Sequence, residues 1–578
     1  MTARRNPFEF VAANDLPEKM ILDYYIEDFN YSRFISSKRN VILVGERGCG
    51  KSMTLLYNSW RLQYLKAQQE DRRSPLDLIG VYIPCNTPLI HKQEYQLVDA
   101  LKASVIAEHH FVLSIAFKIA ETLKAIPDVM KGADEQRLRS RIEFIFGTDL
   151  PANVPFFDAI MDFVDRECVA TQRAVVDPHT QAVEYENTYT FASLVIPLLG
   201  CTRTIPCLQE SHFMLLVDDA HDLNRHQAEA LNSWIAFRDH SLFSFKMAVA
   251  NIDRTTLRTA SGGAILEGHD YLKLDMMQPF QNESSAFGRL AQLLIARRLR
   301  QFNINASPED FFPISDQLKS DLAVADAAVR KEAEDKYGPN KPDQISDHIY
   351  KYKRAHYFRS RSPRANRPEY SGFQTLVYLS TGVVRNLLQP CYWMYEKMLS
   401  EVAQDDREPT SITSIPPAVQ SETIIERSRE LWDWLRKGLD QNIVDCSSDD
   451  AKHAYQLLDQ LAILFRERLM RHQSEPRANS FTVSGMTDAI QPHIDHLFDI
   501  LRQAQLLYVR SGAAKAKGQR EWYYVPNRLL WPERGLDPHG QHARVSIPAA
   551  DLWAAATENR ALPMDGDAIH PQKVLFSE

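Results

Sequence analysis

Clustered cysteines, long apolar runs and low-complexity tracts are all missing from this chain of 578 residues. Its seven cysteines, at 49, 85, 168, 201, 207, 391 and 446, form no CxxC pair and no Cys/His group at zinc-ligand spacing. That excludes a zinc-ribbon or disulfide-stapled scaffold, and the thiols read as reduced, which suits the cytoplasm. Nowhere do about 18 apolar residues run together, and the opening MTARRNPFEFVAAND has no apolar core, so the expectation is no signal peptide and no membrane partner. Excess positive charge is missing as well. The net charge of −8 gives no global attraction to polyanions, so nucleic-acid contact would have to come from a local patch.

What is present is globular: 44 % hydrophobic, 25 % charged and 10 % aromatic residues, on a chain too long for one hydrophobic core. Residues 41–44, VILV, are a short apolar run of the kind that forms a parallel strand buried on both faces. GERGCGKS follows at once, and MTLLYNSWRLQYLKAQ continues with apolar residues at helical spacing. Strand, glycine loop and helix thus stand in the order of a phosphate-binding loop. Gly45, Gly48 and Gly50 let the backbone turn tightly, and Glu46, Arg47, Cys49 and Met53 complete the cradle. Lys51 is expected to reach the β- and γ-phosphates and Ser52 to ligate Mg²⁺. Cys49 inside the loop reads as a small tolerated side chain.

Such a loop predicts a second strand that ends in acid. SHFMLLVDDAHDL at 211–223 supplies it, with Asp218 to hold Mg²⁺ and Asp219 to orient or deprotonate the attacking water. Asp222, one turn on, is the alternative water-orienting carboxylate. SFKMAVAN is a further buried strand with Asn251 at its C-terminal end, where ligands of open α/β sheets gather. Arg254 and Arg258 follow, and either could reach a neighbouring subunit's nucleotide, which leaves a nucleotide-dependent oligomer open. GVYIPCN at 80–86 and HDYLKLDM at 269–276 read as two more strands.

Together these residues resemble the AAA+ ATPases, in the branch of the origin-recognition and replication-initiator proteins. The match is GERGCGKS, LLVDDAHDL, the sensor-like Asn251, and YLSTGVVRNLL at 378–388, where Arg385 occupies the position of the lid arginine. The resemblance implies ATP rather than GTP, and slow hydrolysis, since Asp219 stands where AAA+ proteins usually carry Glu. The Asp-Asp pair is also similar to the STAND signalling ATPases. That second likeness implies the alternative function, a switch controlling a partner effector protein, in a setting such as anti-phage defence.

The fold class expected is an α/β P-loop core, a parallel sheet flanked by helices, with a helical insertion, a helical lid and a C-terminal winged helix. The boundaries are an N-terminal segment at 1–36, the core at 37–280 with its insertion at about 87–210, the lid at 281–405, a linker and helix at 406–445, the winged helix at 446–540 and a tail at 541–578. His109 and His110 in the insertion read as core or surface residues rather than metal ligands.

Two segments could meet nucleic acid. Residues 351–367, KYKRAHYFRSRSPRANR, hold seven Lys or Arg and no acid, and read as a basic loop with Arg359, Arg361 and Arg364. The wing between the last strands carries Arg510, Lys515, Lys517 and Arg520 with no acid between them. The would-be recognition helix at 488–503 instead carries Asp488, Asp495 and Asp499 against Arg502 alone, so contact would be with phosphates and indifferent to sequence.

Overall fold

The structure is a computed structural model, and it describes residues 6–9, 12–27, 31–73, 75–85, 99–176, 188–236, 241–250, 256–277, 285–361, 368–404, 412–443, 445–471, 478–513, 520–540, 543–564 and 568–569. The chain divides into two compact units, residues 11–277 and residues 278–578 with residues 1–10.

The first unit is built on five parallel strands: β1 (Val41–Val44), β2 (Leu78–Pro84), β3 (His212–Asp218), β4 (Phe243–Val249) and β5 (Leu272–Asp275). Their order across the sheet is β2-β3-β4-β1-β5. The strands of the phosphate loop and of the acidic pair are therefore separated by β4 alone, and all three end on the same edge. Every residue of β3 and β4 is buried, and apolar residues dominate both; the polar exceptions within them are partnered, His212 with Ser244 and the Lys246 ammonium with the carbonyls of Ser37 and Arg39. Buried Asn40 joins the lower ends: its amide donates to the carbonyls of Ile235 and Asp270, and its Oδ1 accepts from the Phe245 N–H. Helix α1 (Lys51–Tyr57) leaves the phosphate loop and packs back on the sheet. At the end of that helix Asn58 approaches Gly80 so closely that a Cβ there would sit 2.1 Å from its carbonyl oxygen.

The long connection after β2 is the expected helical insertion, made of α2 (Ala100–Lys124), α3 (Glu135–Phe146), α4 (Phe156–Val176) and α5 (Ile196–Thr202). Asp99 caps α2 by accepting from the Lys102 N–H. By length and composition α2 could cross a membrane. Its Ile106, Phe111, Leu113, Ile115 and Ile119 are instead fully buried within the unit, each contributing about 1.5–3 kcal/mol of burial. His109 is a core residue: its Nδ1 accepts from the Tyr189 N–H, its Nε2 lies 3.0 Å from Thr171 Oγ1, and burial pulls its pKa down to about 4. Helix α6 (Arg225–Ala236) follows the acidic turn.

The second unit contains α7 (Ala286–Gln301), α8 (Asp316–Tyr337), α9 (Pro342–Ser360), α10 (Phe373–Leu379), α11 (Val384–Gln404), α12 (Pro417–Lys437) and α13 (Ser448–Arg471). Then come β6 (Ala478–Ser484), α14 (Gln491–Gln503), the hairpin β7 (Leu507–Ala513) and β8 (Arg520–Pro526), β9 (Ala543–Pro548), α15 (Ala549–Glu558) and β10 (Ala568–Ile569). Helix, strand, helix and hairpin appear in the order expected of a winged helix.

Three expectations change. Residues 351–360 are not a loop but the second half of α9, which pairs with α8 through Lys353 and Asp326 at 3.0 Å. Residues 543–558 are not a tail: β9 lies parallel to β6 inside the second sheet, and α15 packs on α13. Residues 6–9 separate from the rest of the N-terminal segment and belong to the second unit, where fully buried Phe8 meets Phe311, Phe312 and Tyr395 and Arg298 grips the carbonyls of Pro7 and Glu9. Lid and winged helix also share a core. Arg354 of α9 donates to buried Asp537 at 3.0 Å, the Tyr370 hydroxyl donates to the Leu536 carbonyl, and Arg510 of β7 donates to the Thr381 carbonyl.

Candidate functional site

The phosphate loop is shaped by its glycines. Gly48 and Gly50 adopt φ of 86° and 104°, conformations that cost any other residue, and Gly50 closes the loop as the N-terminal cap of α1. A Cβ on Gly45 would sit 2.7 Å from Cys49 Sγ. The Gly45 N–H donates to the Val249 carbonyl, tying the loop to the end of β4. Lys51 is buried, and its ammonium donates to the carbonyls of Gly45 at 2.6 Å and Glu46 at 3.1 Å, which holds its charge in the concavity of the loop. Arg47 is exposed at the crest and Glu46 is half-buried. Cys49 is buried and its thiol is pushed up by burial, so it fills space and is no thiolate. The side chain of Met53 packs with Ile21 and Tyr25 and leaves only its backbone for the helix N-terminus.

Opposite the loop, Asp218 ends β3 at 1 % exposure. Ser52, the second residue of α1, lies near enough to help lower the pKa of this carboxylate, so the two residues expected to share Mg²⁺ are brought into one neighbourhood. The Tyr82 hydroxyl lies 2.7 Å from the Asp218 Oδ2 and 2.8 Å from Asn14 Oδ1. It has one proton, which goes to the carboxylate, the stronger acceptor, and the Asn14 amide turned over then donates to the phenol oxygen. Burial first, and the neighbouring Asp219 second, raise the Asp218 pKa above the usual range, while Tyr82 and Ser52 pull it back. A raised folded-state pKa means that the ionised Asp218 costs stability above the ordinary carboxylate pKa and that falling pH relieves the cost. A bound cation would relieve it at neutral pH. Hard oxygen donors from Asp218 and Ser52 beside a glycine-lined anion cradle suit Mg²⁺ and a polyphosphate, and Mg·ATP fits these residues.

Asp219 has a left-handed backbone, φ 53°, and its N–H donates to Asp218 Oδ1. That turn ends the strand, and the Asp219 charge stays close enough to raise the Asp218 pKa. Asp222 follows in a short 3-10 turn, bonded through its N–H to the Asp219 carbonyl and 3.7 Å from the imidazole of His221. Burial lowers the His221 pKa, its two aspartate neighbours raise it, and Lys51 and Arg47 lower it, so His221 belongs to the same electrostatic neighbourhood. Tyr82, Asn14 and His221 were not legible as site residues. Tyr82 reaches Asp218 only because β2 and β3 are neighbours, in a register that aligns Pro84 with Asp218. His221, inside the acidic motif, carried the one available signal.

Tyr82→Phe is expected to weaken the Mg²⁺ dependence of nucleotide binding by about tenfold, the usual cost of removing a group that orients a metal ligand. A titration of Mg²⁺ at fixed nucleotide checks it, and an unchanged midpoint would make Tyr82 packing alone.

Asn251 and Arg254 lie outside the described residues, as do Arg364, Lys515 and Lys517. Arg258 is paired by a backbone bridge to Ala264 on the surface. Arg385 lies in the second unit, half-buried, the second residue of α11, with no acid in that helix's first turn and no ion pair among the described residues. A cation there opposes the helix dipole and gains nothing from the fold itself.

The expected nucleic-acid arginines are largely committed to structure. Arg359 donates to the Leu469 carbonyl, and Arg361 donates to the Tyr357 hydroxyl and stands 4.0 Å from Asp321. Arg510 is buried, its guanidinium 5.3 Å over the Tyr508 ring and bonded to the Thr381 carbonyl, which corrects its placement on an open wing. Arg520 begins β8.

A family model described as ORC-CDC6-like matches residues 6–547. The crystal structure of Cdc6p from Pyrobaculum aerophilum is 10 % identical over 96 % of this chain and 96 % of its own, at a TM-score of 0.29. The Aeropyrum pernix Orc1 protein in complex with DNA is 10 % identical over 91 % of this chain and 93 % of its own, at 0.27. Curated protein sequences offer no match. Superposition this loose carries no argument, so the fold stands on the sheet itself.

Proposed function

The chain belongs to the ORC-CDC6-like family, and from that premise we propose that it is an ATP-binding and slowly ATP-hydrolysing AAA+ switch that acts on nucleic acid. The observation that carries the reading is buried Asp218, with Ser52 in its neighbourhood, together with a loop that holds the Lys51 ammonium in its concavity. Nothing in the packing needs a carboxylate at 1 % exposure next to a second carboxylate. A cation–polyphosphate ligand does. Asp219 orients the water, and its short reach makes turnover slow. Arg385, at a helix start with no ion pair among the described residues, is the lid group for the γ-phosphate, and Asn251 follows in sequence from β4, the strand between the two motif strands. Seven free thiols fit a cytoplasmic location.

For nucleic acid the wing hairpin is the better of the two basic segments, because Arg359 and Arg361 already hold α9 in place. Exposed Trp522 on β8, at 62 %, adds a ring on which a base can stack. Fluorescence anisotropy with single- and double-stranded DNA and RNA, with and without ATP, tests the reading. Binding is expected to ignore sequence and to fall steeply with salt, and Lys515→Glu with Lys517→Glu is expected to weaken it and flatten the salt slope. No binding at low salt in either nucleotide state would shift the function to a STAND-like signalling ATPase that controls a protein effector, with anti-phage defence as one setting.

A further inference from the structure

The second unit holds a cavity of about 660 Å³ where α8, α9 and α10 meet the segment after β8. It is separate from the phosphate loop, and none of its residues has a role in the reading above. Its size falls in the ordinary range for small-molecule sites, and junctions between modules are where such sites form.

The walls have a consistent chemistry. Tyr350, 48 % exposed, stands with Tyr378 and Phe373 among the lining residues, so flat rings border the space. Lys353 and Arg354 line it from α9. The Arg354 Nε donates to both oxygens of Asp537, itself 1 % exposed, so the carboxylate fixes the guanidinium through one edge and leaves the Nη edge for another anion. Lys353 is anchored in the same way by Asp326 at 3.0 Å. Gln374 also lines the cavity, and its amide oxygen is buried with no donor among the described residues, a state that costs free energy until an N–H meets it. His539 closes the end, its Nε2 3.1 Å from Thr375 Oγ1 and its ring 4.5 Å from that of Tyr378.

We propose that this cavity binds an aromatic, N–H-bearing anion of nucleoside-monophosphate size. The ring lies against Tyr350 and Tyr378, an N–H of the base satisfies Gln374 after a turn about its last torsion, and the phosphate meets Lys353 and the Nη edge of Arg354. Glu309 also lines the cavity and repels a longer chain of phosphates, which favours one phosphate over three. Because α8, α9 and α10 line one side and His539 the other, a bound ligand bridges the lid helices and the segment after β8.

Calorimetry on the full chain carrying Lys51→Ala, with the phosphate loop weakened, tests this with AMP, GMP, adenosine and inorganic phosphate as probes. Saturable one-to-one binding of at least one monophosphate is expected, with adenosine and phosphate each weaker by about tenfold or more. Lys353→Met should weaken the monophosphate by about tenfold and leave adenosine unchanged, since Arg330 still accompanies Asp326. Leu322→Trp, which fills the cavity from half-exposed α8, should abolish binding of the monophosphate. Circular dichroism and ATP binding at an intact phosphate loop serve as its folding controls. No heat with any probe, or monophosphate binding undiminished by Leu322→Trp, would overturn the proposal. Neither result bears on ATP binding at Lys51, which is measured separately.

Discussion

A chain carrying Lys51→Ala is expected to bind ATP at least tenfold more weakly than the wild type, about 1.4 kcal/mol or more. The lysine is buried and its ammonium bonds two loop carbonyls, so its loss removes the cation of the cradle together with two contacts that hold the loop closed. Glycines at left-handed φ keep the loop backbone in place without it, so the protein should still fold. Fluorescent-nucleotide titration gives the affinity, and a thermal melt in the presence of ATP gives an independent reading, since a ligand that binds only the folded state raises the melting temperature. Unchanged affinity would remove the phosphate-loop assignment altogether.

The second large effect belongs to turnover. Asp219→Asn keeps the size of the side chain and loses its charge, so Mg·ATP should still bind while hydrolysis falls by about a hundredfold or more, the usual contribution of a general base. Asp219 is one of the groups that raise the Asp218 pKa, so its neutralisation lowers that pKa and makes the metal-binding carboxylate easier to ionise. Metal affinity should hold or rise while the rate drops, a split that a merely structural residue would not produce. Phosphate release under single-turnover conditions measures the rate. If it proceeds at the wild-type value, Asp222 is the better candidate, held one turn on beside His221.

Sequence and structure agree best where chemistry is local. VILV, FMLLV and SFKMAV are strands because a doubly buried parallel strand is mostly apolar, with the Lys246 ammonium satisfied by the carbonyls of Ser37 and Arg39, and Gly48 and Gly50 stand where the backbone turns left-handed. The same holds for the helix, strand, helix and hairpin after residue 447. Agreement fails where an outcome depends on which distant segment arrives. The run of cations at 351–361 looks the same whether its partners are phosphates or Asp326, Asp537 and the Leu469 carbonyl, which lie up to 183 residues away in sequence. Charge pattern reports the need for a partner and not its identity.

By itself, then, the sequence determined the phosphate loop, the acidic strand end, the strand and helix periods and the family, since each is encoded within a dozen or so neighbouring residues. Only the tertiary structure decided that β4 separates the two motif strands, that Tyr82 holds Asp218, that Arg510 faces inward, that Phe8 joins the second unit and that residues 543–548 enter its second sheet beside β6. The physical reason is that a strand's period says which face is buried but not which strand lies beside it. Sheet order and ion-pair choice are settled by the whole core at once.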